Sequence, residues 1–438
     1  MILDRTQAPA FQAIQTVQLP AVDTHILDNG IPLHLIAVQQ QPVLRLELIL
    51  EAGTWYEQSN GVAQTETADR PGAAFFALKM LAEGTATRTS AQISEAFDRY
   101  GAFLELSSGP DRASLVVYCL TKHLASILPL VRELLTEPTF PEKELADLRN
   151  ITAQNLRVNL EKNSYLASVR FRETTFGQEH PYGRSQRLDG VETMTRDAVV
   201  SFYERVIRQR PFRILLAGQA STPEIELINQ SLGQLSLREP VPVPTHEAPS
   251  ATPKTGPVLI EKSASLQSSI RIGRQLFSRH HPDFIKTLVM NEVFGGYFGS
   301  RLMKNIREEK GFTYGISSNL ASFRRAGYFL IGTDVKKEFT QQTLEEIRKE
   351  IDRMQTELVP DDELETVTNY MAGEFAGSLN TPFEIADRYK VILLDGLPDD
   401  FLSRYVMNLR AVSPDDIRDA ARQYLQPDNL LEVVVGSK

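Results

Sequence analysis

The 438-residue sequence has a single cysteine, no cluster of basic residues and no apolar run long enough to span a membrane. One cysteine excludes an internal disulfide, and Cys119 lies in the apolar run SLVVYCL, which favours a small core residue. A net charge of −9 argues against nucleic acid as a partner. The N-terminal residues show no basic region followed by an apolar run, so we expect a cytoplasmic protein, or a periplasmic one if a leader was removed.

Histidine is scarce and scattered. The sequence holds seven histidines, at positions His25, His34, His123, His180, His246, His280 and His281. A catalytic zinc site needs three protein ligands, and the two adjacent histidines would point apart. The sequence therefore predicts no metal site in this chain.

An internal repeat is present. Pro141, which opens PEKELADL, corresponds to Pro360, which opens PDDELETV, an offset of 360 − 141 = 219. Thr195 and Ser413 open two matching helix starts, at an offset of 413 − 195 = 218, and the glycines ending FRILLAG and LLEVVVG are separated by the same 218. Three anchors in the same order at one spacing predict a duplicated domain of roughly 220 residues.

The chain is too long for one core, so two domains are expected. We place them at 1–236 and 258–438, joined by a linker at 237–257 that is rich in Pro, Ser and Thr. Each copy combines antiparallel strand pairs, such as a hairpin over Thr24–Val38, with long helices later in the repeat. The predicted fold class is α+β, with two homologous domains, each a mostly antiparallel sheet backed by helices.

The segment Phe294–Ile316 predicts a glycine-rich turn, a short helix and a strand in immediate succession. The helix is expected over Arg301–Lys310, with Gly311 as the left-handed residue that ends it. The strand is expected to start at Phe312. A helix and a strand joined so tightly bring their facing side chains close together.

Arg307, in the last turn of that predicted helix, and Tyr314, in the strand, lie seven residues apart. A guanidinium and a phenol brought together by such a turn can both donate hydrogen bonds to one carbonyl, which suits binding of a peptide backbone. A structural interpretation is also open. The helix dipole favours an Arg near a helix C-terminus, and Tyr314 alternates in phase with Phe312 and Ile316, which is typical of a half-buried strand residue.

The run S-R-L-x-x-x-I-R-E-x-x-G-x-x-Y at Ser300–Tyr314 resembles the C-terminal-domain signature of the insulinase/pitrilysin family of zinc peptidases, which includes the mitochondrial processing peptidases. The resemblance implies that Arg307 and Tyr314 grip the main chain of a peptide substrate opposite the zinc. It covers nearly the whole chain and also implies that the two like domains form one half of a clamshell.

At the expected zinc site the sequence departs from that family. Active members carry H-x-x-E-H on a helix, where two histidines bind zinc and the Glu acts as general base. In the aligned segment Gly72–Leu81, Phe75 replaces the first His, Leu78 the Glu and Lys79 the second His. The third ligand, a later Glu, is expected near Ile151–Leu160, which has no carboxylate. The chain is therefore expected not to bind catalytic zinc.

The chain resembles the zinc-less subunit of a small bacterial heterodimeric peptidase of this family. By that analogy a homologous subunit with an intact H-x-x-E-H motif supplies zinc and the general base, while Arg307 and Tyr314 orient the peptide substrate. Gly295, Gly296 and Gly299 would let the substrate backbone approach closely, or they form only a tight connection before the helix.

Three other functions stay open from the sequence. The chain could be a scaffold subunit without proteolytic function, although the intact Arg–Tyr pair disfavours this. It could be a stand-alone peptide-binding protein, as a homodimer, that offers an edge strand for strand addition. The third, a different enzyme on the same fold, ranks last because no nucleophile–base pair, phosphate loop or paired-carboxylate site is present in the sequence.

Overall fold

The computed structural model describes residues 13–38, 41–57, 71–246 and 256–437. The strands of the first half are β1 (Asp23–Ile26), β2 (Pro32–Ala37), β3 (Val43–Leu50), β4 (Phe103–Ser108), β5 (Ala113–Leu120) and β6 (Phe212–Gly218). Its helices are α1 (Ala73–Lys79), α2 (Ser90–Asp98), α3 (Leu124–Thr136), α4 (Glu142–Glu161), α5 (Asn163–Phe176), α6 (Leu188–Glu192), α7 (Arg196–Phe202) and α8 (Thr222–Ser231).

The second half repeats this order of elements. Its strands are β7 (Val258–Glu261), β8 (Gln267–Leu276), β9 (Thr313–Ser322), β10 (Gly327–Lys336) and β11 (Leu431–Gly436). Its helices are α9 (Phe284–Asn291), α10 (Thr340–Thr356), α11 (Asp361–Gly377), α12 (Pro382–Asp395), α13 (Tyr405–Arg410) and α14 (Pro414–Tyr424). No helix among the residues described is both long and apolar enough to cross a membrane.

The two sheets have the same topology. The strand order is β1-β2-β6-β3-β5-β4 in the first sheet and β7-β11-β8-β10-β9 in the second, so they match place by place apart from the extra edge strand β1. Each sheet has one parallel pair, β2 with β6 and β7 with β11, and the other pairs are antiparallel. The predicted α+β class with two mostly antiparallel sheets backed by helices is confirmed.

Local sequence signals set the element boundaries. The hairpin of β1 and β2 turns at Gly30, whose φ of 83° is in the left-handed region that glycine adopts without strain. Helices α2, α8, α12 and α14 each begin with a capping box, in which a Ser or Thr and an acidic or amide side chain three residues later satisfy the free backbone amides. These signals are short-range, and they were readable in the sequence.

Each half has its own apolar core between the sheet and the helices that follow it in sequence. In β3 the alternate residues Leu44, Leu46 and Leu48 point into the first core and are fully buried. Cys119 is also buried there, as predicted, and burial raises the pKa of its thiol to about 11. Such a thiol is an inert core group at neutral pH.

Part of the outer face of each sheet is covered by a helix from the other half. On the second sheet, Phe171 of α5 packs against Leu431 and Val433 of β11. On the first sheet, Ile385 of α12 packs against a small apolar cluster on β2, β3 and β6. Helices α5 and α12 occupy the same place in the repeat, since their starts are separated by 382 − 163 = 219. The two halves therefore exchange one helix each.

The chain segments outside the repeats also contact the two halves, the N-terminal arm the second half and the linker the first. The backbone oxygen of Ile14, near the start of the described chain, accepts hydrogen bonds from Arg410 at 3.0 and 2.9 Å, so this arm lies on the second half. In the predicted linker, the backbone oxygen of Pro244 accepts a hydrogen bond from the indole of Trp55 at 3.0 Å. Residues 247–255 of that linker lie outside the described residues.

The hairpin tip between β9 and β10 penetrates the first half. The guanidinium of Arg325 lies 4.1 Å from the centre of the Trp55 ring and 2.9 Å from the carboxylate of Asp111. Phe323 stacks on Tyr182 with ring centres 4.3 Å apart. These contacts combine an aromatic stack with a charge pair in a partly buried site, so they hold the second sheet against the first half.

A buried ion-pair network joins α12 to the first sheet. The carboxylate of Glu47, which is 1% exposed, lies 2.5 Å from the Arg45 guanidinium and 3.1 Å from the Lys390 ammonium. It also accepts a hydrogen bond from the hydroxyl of Ser114 at 2.9 Å. Asp387, which is half exposed, pairs with the same two cations, at 2.8 Å from Arg45 and 3.2 Å from Lys390, so removal of Glu47 takes away their buried counter-charge and leaves the exposed one.

We expect Glu47→Gln to lower the free energy of unfolding by about 2 kcal/mol, because it leaves Arg45 and Lys390 with the half-exposed Asp387 as their shared counter-charge. Glu95→Gln is the matched control, since Glu95 pairs with Arg99 on the surface, where both side chains are exposed. This control should change stability by less than about 0.5 kcal/mol. Urea unfolding measures both, and equal effects of the two variants would contradict a stabilising role for the network.

His180 lies in the aromatic cluster at the hairpin tip, with its ring centre 5.5 Å from that of Trp55 and 5.2 Å from that of Tyr182. Burial, with smaller contributions from His246 and Arg184, lowers the pKa of His180 to about 4. The unfolded side chain titrates near 6.5. The unfolded state therefore binds more protons between these two values, and stability is lost as the pH falls from about 6.5 toward 4.

We expect acidification from about pH 7 to about pH 5 to reduce the free energy of unfolding by about 1 kcal/mol through His180, a value discounted for its partial exposure. His180→Gln should flatten this part of the pH dependence. Urea midpoints at a series of pH values give the slope for both proteins. An identical slope in the variant would show that the acid sensitivity arises elsewhere.

Candidate functional site

The segment around Arg307 folds as predicted in outline, with a different helix geometry. Helix α9 continues into a π-helical turn at Glu292–Gly296, and the predicted helix is a second π-helical turn at Met303–Glu309 after two helical residues. Gly311 follows with a φ of +66°, the left-handed value expected of the residue that ends the helix. Strand β9 begins at Thr313, one residue later than predicted.

Tyr314 lies on a β-bulge. Ile316 pairs with Thr333 and Thr313 pairs with Val335, so Tyr314 and Gly315 together face the single residue Asp334. The extra residue shifts the alternation, and the Tyr314 side chain is 97% exposed although Ile316 is buried. The interpretation of Tyr314 as a half-buried core residue is therefore wrong, because the periodicity that suggested it is broken at the bulge.

Tyr314 forms one wall of a cavity of about 490 Å³ on the outer face of the second sheet. The rest of the lining consists mainly of small or polar side chains from three neighbouring strands, namely Gln267, Arg271, Thr313, Gly315, Ser317, Asn319, Leu330, Gly332, Thr333 and Asp334. An exposed phenol beside an open polar groove keeps its hydroxyl free for an external partner.

The Arg307 guanidinium rests on an aromatic ring. Its central carbon lies 4.6 Å from the centre of the Phe298 ring, and the side chain of Arg307 is 34% exposed. The nearest carboxylate oxygen, on Glu308, is 3.9 Å from Nη1, beyond hydrogen-bond distance. No hydrogen bond joins Arg307 to Tyr314 or to another residue in the described part of the chain. The donors of Arg307 are thus unused among the described residues.

The three glycines of this segment allow close approach of neighbouring parts of the chain. A Cβ atom at Gly295 would lie 2.6 Å from Ser318 Oγ and 2.8 Å from the Ser318 backbone nitrogen. A Cβ at Gly296 would collide with the carboxylate of Glu292, and one at Gly299 would lie 2.7 Å from the Tyr297 ring. These contacts account for a tight connection before the helix, and substrate contact at the glycines stays a prediction.

Glu292, which sequence reasoning missed, lies beside this turn. Burial, reinforced by the nearby Glu374 carboxylate, raises the pKa of Glu292 to about 7. The carboxyl group therefore titrates close to neutral pH at the base of the glycine-rich turn. The raised pKa of Glu292 could not be predicted from the sequence, because burial and the proximity of Glu374 both depend on tertiary packing.

At the degenerate zinc positions, α1 presents apolar groups and one ammonium. Leu78 has no exposed surface, and Phe75 packs edge-on against Phe76 with ring centres 5.3 Å apart. Lys79 donates a hydrogen bond from Nζ to the backbone oxygen of Leu106 at 2.5 Å. None of these groups offers the lone pair of an imidazole or carboxylate to a cation.

The Leu106 oxygen belongs to the free edge of the first sheet. The hairpin of β4 and β5 closes with a hydrogen bond from the Gly109 amide to the Arg112 oxygen, so alternate pairs such as Ser107 with Ser114 exchange backbone hydrogen bonds. Leu106 lies between those pairs, and its amide and carbonyl therefore point away from β5. Lys79 thus caps an edge carbonyl of β4.

The start of α1 is held by a buried carboxylate that sequence reasoning missed. Glu57 has no exposed surface and accepts hydrogen bonds at 3.0 Å from the amides of Gly72 and Ala74 and from Arg184. Burial raises the pKa of Glu57, and the two amides and the guanidinium oppose that rise. Glu57, Arg184 and Phe75 line a cavity of about 350 Å³. Glu179 and Asp189 line the same cavity, but no three such side chains in the described part of the chain lie close enough to hold one ion, and the Glu57 carboxylate is already paired with Arg184, so the residues do not fit a zinc site.

The rest of the described chain offers no alternative metal site. Within it, no three His, Cys, Asp or Glu side chains lie close enough to hold one ion. Asp147 and Glu161, which flank the segment expected to hold the third zinc ligand, are both exposed on α4. The side chains that the structure describes in this half therefore do not fit a catalytic zinc ion.

We expect the purified chain to contain less than about 0.1 zinc per molecule, because three ligands are needed for tight binding. The double variant Phe75→His, Lys79→His restores two imidazoles four residues apart but no third ligand, so its zinc affinity should remain weak. Elemental analysis after dialysis against zinc tests both proteins. Stoichiometric zinc in the unmodified chain would overturn this assignment.

The chain is similar to known peptidases over most of its length. A family model described as "Insulinase (Peptidase family M16)" matches residues 39–186, and one described as "Peptidase M16 inactive domain" matches residues 193–371. An uncharacterized zinc protease of Bacillus subtilis is 23% identical over 425 residues, covering 95% of this chain and 98% of that protein. A similar protein of Streptomyces coelicolor, also named a zinc protease, is 23% identical over 386 residues, covering 85% and 82%.

Solved structures show the same fold. The crystal structure of a peptidase M16 inactive domain from Pseudomonas fluorescens superposes with a TM-score of 0.85 at 23% identity, covering 95% of this chain and 98% of that one. A protease from Helicobacter pylori also gives a TM-score of 0.85, at 15% identity, with coverage of 96% and 100%.

Proposed function

Because the chain belongs to the insulinase (M16) family of peptidases, we propose that it is the zinc-less subunit of a heterodimeric zinc metalloendopeptidase, which binds the peptide substrate while a homologous subunit supplies zinc. Relatives that it matches along most of its length are named zinc proteases. On this proposal a partner with an intact H-x-x-E-H motif supplies the metal chemistry, since Phe75, Leu78 and Lys79 stand at the aligned positions of this chain.

The exposure of Tyr314 carries the proposal. A large aromatic side chain that is 97% exposed contributes little to folding, and here a β-bulge turns it out of the core. If Tyr314 contributed to the apolar core, its side chain would point to the opposite face of the sheet. A phenol displayed in this way beside an open groove supports a role in binding an external group.

Arg307 supports the same role through its unused donors. A guanidinium presents five N–H groups in a planar fork, and in this chain no described acceptor lies within hydrogen-bond distance of them. Donors of this kind bind the carbonyl oxygens of an extended peptide. Together Arg307 and Tyr314 would hold the peptide main chain in position, which accelerates cleavage by fixing the orientation of the scissile bond.

Our second candidate function is stand-alone peptide binding by strand addition at β4. Phe103, at the start of this edge strand, is 73% exposed, and the backbone groups of Leu104 and Ser108 point to the free edge by the same pairing pattern as Leu106. Lys79 occupies the intervening carbonyl and would have to move for a continuous ladder to form. This contact disfavours strand addition relative to the heterodimer.

A native pull-down with mass-spectrometric identification separates the two candidates. We expect a similar-sized protein with an intact H-x-x-E-H motif to co-purify in stoichiometric amount, and the pair to cleave peptides. Recovery of the chain alone or with a second copy of itself would contradict the heterodimer and leave stand-alone peptide binding as the better account.

In the assembled pair, Arg307→Ala should lower kcat/KM for an unstructured peptide by about tenfold to a hundredfold, the effect of losing a charge-assisted hydrogen bond in the bound state. Tyr314→Phe, which removes only the hydroxyl, should cost about threefold to tenfold. Arg99→Ala is the matched control because Arg99 is an exposed arginine paired only with Glu95. Unchanged kinetics of a folded, assembled Arg307→Ala pair would refute the proposed role.

A further inference from the structure

We propose that Phe298 is a positioning residue, whose ring orients the Arg307 guanidinium for the peptide main chain. The inference rests on the proposed function and adds to it a residue outside the Arg–Tyr pair. Phe298 lies between Tyr297 and Gly299 in the glycine-rich turn, and the guanidinium carbon of Arg307 is 4.6 Å from the centre of its ring. A contact at this distance is an attractive cation–π interaction.

The exposure of Phe298 has no explanation in folding. Its side chain is 64% exposed, and it belongs to neither the core of the second half nor the apolar residues packed against it. Neighbouring Tyr297, by contrast, packs against that core and against Tyr370, with ring centres 5.1 Å apart. Among the described residues, the ring contact that Phe298 makes is the one with the Arg307 guanidinium.

The geometry of the contact suits a residue that must bind something else. A carboxylate partner would fix Arg307 by consuming its N–H donors, because those donors lie in the plane of the guanidinium. An aromatic ring holds the guanidinium by contact with the face of the ring. The N–H donors in the plane of the guanidinium stay free. Glu308, the nearest carboxylate, stays 3.9 Å away. The arrangement therefore restricts the rotamers of Arg307 while preserving its capacity to donate hydrogen bonds.

Gly299, which follows Phe298 in the sequence, allows the ring of Phe298 to lie beside Arg307. A Cβ atom at Gly299 would lie 2.7 Å from a carbon of the Tyr297 ring, so a larger residue there would require the Tyr297 ring or the turn to shift. Since Tyr297 is anchored on the core, the turn places Phe298 on the outside, toward the π-helical segment that carries Arg307. The glycine thus contributes to the peptide site by allowing this placement of Phe298.

The test is a double-mutant cycle in the full chain assembled with its zinc-bearing partner, or in the chain alone if none is recovered. The proteins are the unmodified chain, Phe298→Leu, Phe298→Tyr, Arg307→Ala and Phe298→Leu with Arg307→Ala. The probe is a labelled, unstructured synthetic peptide, read as kcat/KM for the pair or as Kd for the single chain. The nuclear magnetic resonance signal of the Arg307 Nε–H group reports the contact without peptide.

We expect Phe298→Leu to weaken the measured parameter about threefold to fivefold, as expected for the loss of an exposed cation–π contact. Phe298→Tyr, which keeps an aromatic face, should stay within about twofold of the unmodified chain. Phe298→Leu should add no further loss in the Arg307→Ala background, because the effect acts through Arg307. The Nε–H signal of Arg307 should shift and broaden in the Leu variant and stay close to its original position in the Tyr variant.

Equal losses for the Leu and Tyr variants, fully additive losses in the double variant, or an unchanged Arg307 signal would each overturn the inference while Arg307→Ala still impairs the peptide readout. If Arg307→Ala leaves that readout unchanged, the proposed function itself fails, whatever the spectrum shows. Unchanged thermal midpoints of all variants verify that these effects do not arise from unfolding.

Discussion

The exchange of one helix between the two halves is the contact on which the rest of the structure depends. Without α5 the outer face of the second sheet would expose Leu431 and Val433, and without α12 the first sheet would expose its own apolar cluster. The apolar part of each outer face is therefore buried only when both halves are present. Apolar burial at two interfaces and the charge network around Glu47 join the two halves, although the topology is a duplication.

A second contact between the halves positions the candidate site. The hairpin of β9 and β10 is held at its tip by Trp55 and Asp111 of the first half, whereas the bulge that displays Tyr314 lies near its other end. Strand β9 spans ten residues, about 30 Å at the usual rise per residue. A strand anchored at one end thus presents Tyr314 near the other, and the π-helical turn that precedes this strand carries Arg307, which contacts the exposed Phe298.

Much of the fold could be predicted from the sequence because its signals were local or repeated. The offset of about 219 between matching segments predicted a duplication, and the strand orders of both sheets agree with it. Gly30 and Gly311 marked turns because few other residues adopt their left-handed backbone conformation. The absence of zinc ligands at Phe75, Leu78 and Lys79 could also be predicted from residue identity alone, since none of these side chains coordinates zinc.

The sequence by itself therefore determined the α+β class, the duplication and the absence of zinc-binding residue types at the aligned positions. Only the tertiary structure decided the exposure of Tyr314, because a bulge against β10 breaks the alternation that placed it in the core. The contacts of Lys79 with Leu106, Glu57 with α1 and Phe298 with Arg307 were likewise decided by the tertiary structure. Local periodicity encodes which residues can be buried, but which atoms meet across the chain depends on how the sheets and helices pack.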